Sequence, residues 1–212
     1  MSSAGVSGSG KPSRRADANQ NRARILAAAR AAFIASGTGV PLDEIARSAG
    51  VGNATLYRHF PNRDALLHNA VVSVFDRIAE LGRAEPERGQ DAFEALLAFA
   101  LGAVEEGIGA LCLLLPSRLW AEDPELRAAR RRVDEAVAEL VERGQKAGLV
   151  RPDVGAGDLM VALSLIARPL PDGGAGRLVD RIVRLLMDGF AAPAKTPLPG
   201  RATAPDDLPR HS

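Results

Sequence analysis

The chain has 212 residues, long enough for one or two domains with a buried core, and its formal net charge of +1 names no partner by itself. A single cysteine, Cys112, excludes an intrachain disulfide. The Ser/Gly-rich first ten residues lack the apolar stretch of a secretory signal, and no apolar run reaches the length of a membrane span, so a cytoplasmic protein is expected.

Residues 1–18 are polar and small and read as a disordered basic arm. Lys11, Arg14 and Arg15 there are either a solvated tail or an arm reaching DNA. A first helix is predicted from Asn19 to Ser36, with Ile25, Leu26, Ala29, Ala32 and Phe33 as its apolar stripe. Arg22, near its start, is placed to meet a phosphate or is an exposed charge. The stretch from Pro41 to Leu67, PLDEIARSAGVGNATLYRHFPNRDALL, organises the chain. Leu42, Ile45, Ala46 and Ala49 recur at the spacing of one helix face, with Pro41 suited to a first helical position. Gly50 then tolerates the left-handed conformation that ends helices. A short helix from about Asn53 to Phe60 uses Leu56 and Phe60 as anchors and leaves Asn53, Thr55, Tyr57, Arg58 and His59 to point elsewhere. Pro61 stops it, and Asn62 can cap the next helix. Helix, short Gly-containing turn, helix is the helix-turn-helix plan, whose second helix enters the DNA major groove.

Residues 41–67 resemble the DNA-binding signature of the TetR family of transcriptional regulators, on Ile45-Ala46, Ala49-Gly50-Val51, Thr55 through Phe60, Arg63 and Leu66-Leu67. The resemblance covers about residues 19–67. It departs where the family often has a hydroxyl residue, here Val40-Pro41, and where it often has Ser, here Gly52. By residue chemistry, Asn53 can bond adenine bidentately, Ala54 can meet a thymine methyl, Thr55 can contact a base or a phosphate, and Arg58 can bond guanine or phosphate. The resemblance implies that Tyr57, His59 and Arg63 hold the DNA backbone. Tyr57 as a half-buried core aromatic and His59 as a satisfied structural histidine are the alternatives.

A fourth helix, about Arg63 to Leu81, is lined by Leu66, Leu67, Ala70, Val71, Val74, Phe75 and Ile78. The resemblance makes it the lever that transmits effector binding. Gly82 to Gln90 reads as a loop, and five more helices are expected, at about 91–106, 109–115, 124–146, 155–167 and 176–190. Asp123-Pro124-Glu125 is a clear start signal for the third of these. Phe75, Phe93, Leu96, Phe99, Val104, Leu111, Cys112, Leu115, Arg118, Leu119 and Trp120 form an apolar set that is either core or the wall of an effector pocket. The last two helices carry Leu159, Leu163 and Ile166, then Leu178, Ile182, Leu185 and Leu186. The resemblance implies that they form a four-helix bundle with a second subunit. Residues 191–212 are Pro-rich and polar and read as a disordered tail.

Charge follows the same division. Residues 1–75 hold nine Lys/Arg against four acids, net +5, and the remainder is net −4, the footprint of a nucleic-acid binder. An enzyme finds no support. His59, His68 and His211 are scattered, Cys112 has no nearby histidine, and no metal-binding, phosphate-loop or nucleophile-elbow pattern is present. The expectation is an all-α, homodimeric regulator with a helix-turn-helix domain over 19–67, an effector-binding and dimerisation domain over 68–190, about nine helices and no cofactor. It would be a repressor that leaves double-stranded operator DNA when an unknown small molecule binds. The alternative is a DNA-binding regulator controlled by a protein partner, and after it a helical enzyme.

Overall fold

A computed structural model of the chain describes residues 14–84, 91–107, 122–167 and 175–204, with residues 109, 111, 114 and 115 between them. Eight α-helices lie among the described residues: α1 (Arg14–Ser36), α2 (Leu42–Ser48), α3 (Asn53–His59), α4 (Arg63–Ala84), α5 (Ala92–Glu105), α6 (Pro124–Lys146), α7 (Ala156–Ile166) and α8 (Ala175–Phe190). The helix expected over 109–115 falls largely outside them. α1 starts at Arg14, so residues 14–18 belong to a helix and not to a disordered arm. No helix among the described residues is long and apolar enough to cross a membrane.

The head is α1, α2 and α3 closed by the start of α4. Ile25, Ala29 and Phe33, four residues apart on α1, are buried with Ile45, Ala46, Ala49, Leu56 and Phe60. Pro41 caps α2 from the extended region, one position before the expected one, and Asp43 and Glu44 sit where the helix dipole favours acids. The turn after α2 is built by its backbone. Gly50 adopts φ +63°, its N–H donates to Arg47 O at 3.0 Å, and Val51 N–H reaches back to Ala46 O at 3.0 Å. These paired bonds satisfy the orphan carbonyls of α2 and turn the chain directly into α3.

α4 belongs to both halves. Leu66, Leu67, Ala70 and Val71 are buried toward the head; Phe75, Ile78 and Ala79 are buried further along. It packs on α1, α5 and α6. At its far end a Cβ on Gly82 would stand 2.9 Å from Ala136 Cβ, so glycine lets α4 and α6 approach closely. α5 and α6 start on side-chain caps: Asp91 Oδ1 accepts from Phe93 N at 2.9 Å and Glu94 N at 2.8 Å, and Asp123 Oδ1 accepts from Glu125 N at 2.8 Å and Leu126 N at 3.0 Å.

The segment after α8 corrects the expected disordered tail. Through Ala204 it folds back over the α6–α7 connection as a strap. Val150 and Ala191 form an antiparallel bridge, and Ala192 N donates to Leu149 O at 2.9 Å. Arg151, buried, donates to Asp153 through Nε at 2.6 Å and Nη2 at 2.8 Å, to Thr196 O at 2.6 Å and to Gly189 O at 3.3 Å. Asp153 also accepts from Leu198 N at 3.2 Å. Further on, Thr203 N donates to Asp158 Oδ2 at 3.1 Å, and Gly157 N donates to Thr203 O at 2.9 Å. Chain composition argues for disorder there, but partners some 45 residues away supply the bonds that order it.

Two outcomes are expected. Gly50→Ala should destabilise the protein by about 1–2 kcal/mol, the usual penalty for a side chain in left-handed backbone, measured by urea unfolding. Arg151→Met should lower the thermal midpoint and speed exchange of the Gly157 amide, leaving α3 amides unchanged. The Arg151 hydrogen bonds hold the Asp153 carboxyl well below the usual carboxylate range, so this contribution is present above that range and fades as pH falls through it. The midpoint difference between wild type and variant should therefore narrow below about pH 4.

Candidate nucleic-acid interface

α3 has seven residues, and only its packing holds it in place. Leu56 and Phe60 are buried, and Phe60 N donates to Leu56 O at 2.8 Å to close the last turn. Asn53, Ala54, Tyr57 and Arg58 are left exposed, with Tyr57 at 48% although it is the chain's single tyrosine. Asn53 and Tyr57, like Ala54 and Arg58, lie one turn apart, so the four make one outward surface. Thr55 and His59 are half-buried at its margin, and Arg58 Nη2 donates to Thr55 Oγ1 at 3.3 Å. Tyr57 is therefore not a core aromatic. His59 stands 6.2 Å from the Phe60 ring, and burial, followed by the charges of Arg58 and Arg22, holds its imidazole below the ordinary histidine value.

Four other arginines of the expected surface behave differently from one another. Arg15 is exposed on the first turns of α1. Arg14 opens the same helix. Arg63 turns inward with Nη1, which donates to Thr38 O and Val40 O at 2.5 Å each and fastens α4 to the loop before α2. Arg22 is also drawn inward, to Asn69 and Phe60. Neither inward arrangement is encoded in the local pattern, because the hydrogen-bond partners lie 23–25 and 47 residues away. Two arginines not singled out by sequence line an open groove of about 570 Å³ between α1 and α2, with Ala27, Ala28 and Ala31 on its floor. They are Arg24, whose Nη2 donates to Gly50 O at 3.0 Å, and Arg47.

Besides α4, a second joint among the described residues links the remainder of the fold to this head. Glu106, just past α5, accepts from Arg77 of α4 through Nε at 2.9 Å and Nη2 at 2.6 Å, and it pairs with Arg30 of α1. A Cβ on the next residue, Gly107 (φ +71°), would lie 2.4 Å from Ile34 Cδ1. The chain then enters the stretch expected to wall an effector pocket. Phe75, Leu96, Phe99, Val104, Leu111 and Leu115 are buried and Phe93 is partly buried, while Cys112, Arg118, Leu119 and Trp120 lie outside the described residues. Along α4, His68 Nε2 is 2.9 Å from Asp123 Oδ2, and Arg132 Nε donates to Asp76 at 3.1 Å.

On α7 the structure corrects the expected interface stripe, whereas on α8 the expected Leu178, Ile182 and Leu185 are exposed. Leu159 and Leu163 are 0% and 2% exposed because that stripe of α7 packs on α5, α6 and α8 of its own protomer. Outward-facing positions on α7 are instead Val161 and Leu165, and on α8 they are Leu178, Ile182 and Leu185, the last 71% exposed. Ile166 and Leu186 are half-buried between the two stripes.

Comparison with known proteins bears on the fold and the family. The profile of bacterial regulatory proteins of the tetR family matches residues 25–70, and that of the C-terminal domain of SbtR-like transcriptional regulators matches residues 90–192. Among solved structures, a TetR transcription regulatory protein from Mycobacterium vanbaalenii is 34% identical, with a TM-score of 0.62, covering 84% of this chain and 99% of that one. A TetR transcriptional regulator from Streptomyces coelicolor is 28% identical, with a TM-score of 0.68, covering 82% and 99%. A curated relative, the nucleoid occlusion factor SlmA of Marinobacter nauticus, is 30% identical over 114 residues, half of this chain and 56% of that protein. The chain thus spans little more than half the length of that relative. Fold and family are those of transcriptional regulators and not of enzymes. A basic helix-turn-helix head matching the tetR profile, joined to a helical body matching a regulator's C-terminal domain, makes this chain a member of the TetR family of transcriptional regulators.

Proposed function

We propose that the protein is a homodimeric repressor that reads operator DNA through α3 and leaves it when a small molecule binds in the body. The observation that carries the DNA reading is the outward surface of Asn53, Ala54, Tyr57 and Arg58 on a helix whose other face is fixed by Leu56 and Phe60. Asn53 and Arg58 supply hydrogen bonds to base edges, Ala54 an apolar contact, and Tyr57 and His59 reach the backbone on either side. Burial and the neighbouring arginines disfavour the charged form of His59 in the free protein, and a phosphate beside it would act in the opposite sense.

The exposed row of Val161, Leu165, Leu178, Ile182 and Leu185 supports dimerisation. On a single protomer it leaves apolar surface in water, and a two-fold axis beside it would bury it against its own copy. Two heads then meet successive major grooves about 34 Å apart. The joint at Glu106 supports the effector reading, because the carboxylate that ends α5 touches both α1 and α4. An effector that displaced this end would change how the heads are held, and it can release DNA only by binding the altered state more tightly.

Fluorescence anisotropy on duplex from upstream of its own gene, with salt titrated, tests the reading. Tyr57→Ala and Arg58→Ala should each weaken binding, with Arg58→Ala relaxing sequence preference by roughly 1–3 kcal/mol if it meets a base. Folded protein that binds no DNA at low salt would sink the proposal. Leu165→Glu with Leu185→Glu should convert a dimer to a monomer by light scattering after size exclusion, and should weaken DNA binding by roughly 100-fold through lost bivalency. A double variant that remains dimeric would place the interface elsewhere.

A further inference from the structure

Arg22 combines three observations that a phosphate contact does not require. Its guanidinium carbon lies 5.0 Å from the centroid of the Phe60 ring. Its Nη2 donates to Asn69 Oδ1 at 2.6 Å, and Asn69 is oriented for this because its Nδ2 donates to Ala65 O at 2.8 Å. Its Nη1 is buried and has no hydrogen-bond partner among the described residues.

Phe60 is where α3 ends, and two residues later Asn62 caps α4 by accepting from Ala65 N at 2.8 Å. One guanidinium therefore touches the residue that caps the C-terminal end of the recognition helix and the second turn of α4. Shutting an N–H of a cation away from water costs free energy, whereas a phosphate contact would leave the side chain facing the solvent side of α1. The stack on a buried ring and the bond to Asn69 offset that cost, the ring contact being stronger where water is excluded.

We propose that Arg22 is a positioning residue that sets the angle between α3 and α4, and with it the presentation of Asn53, Ala54, Tyr57 and Arg58 to a DNA groove. This rests on the reading of α3 as the recognition helix. Lysine cannot take its place, because it lacks the flat face that lies on Phe60 and the fork that meets Asn69. Arg22 also faces the same Phe60 ring that His59 stands against, and it is one of the charges that hold down the His59 imidazole.

The test compares wild type, Arg22→Gln, Arg22→Lys and Asn69→Ala on two duplexes, one enriched by the wild-type protein from a random-sequence library and one unselected. All three variants should lose about tenfold in affinity for the enriched duplex, the scale of one ring contact or hydrogen bond. Binding to the unselected duplex should stay within about twofold, and the slope of log K against log salt should be unchanged. The His59 resonance should titrate at higher pH in Arg22→Gln and unchanged in Asn69→Ala. Loss of about one unit of salt slope in Arg22→Gln, with Asn69→Ala at wild-type affinity, would make Arg22 a phosphate contact and overturn the proposal. If the wild type enriches no sequence, the recognition reading fails by itself. Positioning is then judged without DNA, by amide exchange over 56–60. Faster exchange in Asn69→Ala upholds it, and unchanged exchange overturns it.

Discussion

The burial of Leu56 and Phe60 is the interaction on which the function of this fold depends. A helix of seven residues has too few internal hydrogen bonds to repay its nucleation in water. It exists because two side chains on one face are closed into the core formed with Ile25, Phe33, Ile45 and Leu66. Everything the opposite face presents to solvent inherits its direction from that packing. The left-handed turn at Gly50 delivers the chain into this position, and Phe60 closes it with the last bond of the helix.

α4 extends the constraint through the molecule. Its first turns complete the head, and its last turns lie against α6 at the spacing that Gly82 allows. Glu106 adds a second connection that does not run along α4. A carboxylate beyond the C-terminal end of a helix is electrostatically disfavoured by the helix dipole. Here Arg30 and Arg77, from two other helices, offset that, so the end of α5 is held by partners and not by its own helix.

Much of the head was legible in the sequence because its signals are local. The stripe of Leu42, Ile45, Ala46 and Ala49, the glycine after it and the anchors of α3 lie within some twenty residues of one another, and the cap and proline that start α6 are adjacent. Features that depended on distant partners were not legible. Arg22 and Arg63 look like surface charges until Asn69, Phe60, Thr38 and Val40 are brought beside them. On α7 the pattern holds apolar residues on two stripes, and periodicity cannot say which of them the protomer covers itself. Leu159 and Leu163 were the covered pair, and Val161 and Leu165 the open one. The strap after Phe190 is rich in proline and has one large apolar residue, Leu198, and what orders it is Arg151, Asp153 and Asp158.

The strap also limits how the chain can change over generations. Side chains at 155 and 157 would run into the carbonyls of Thr203 and Ala204, at 2.4 to 2.7 Å from the first added carbon. The close approach of the tail therefore requires glycine, or something as small, at both positions. A chain without residues 193–204, which lie beyond the matched regulator domain, could accept serine at the N-cap position 155 and alanine at 157, both of which favour the start of α7. A lineage that acquired either side chain first would have to lift the tail away. Glycine at 155 and 157 beside Asp158 is thus what lets this chain carry a proline-rich segment directly on the start of a helix.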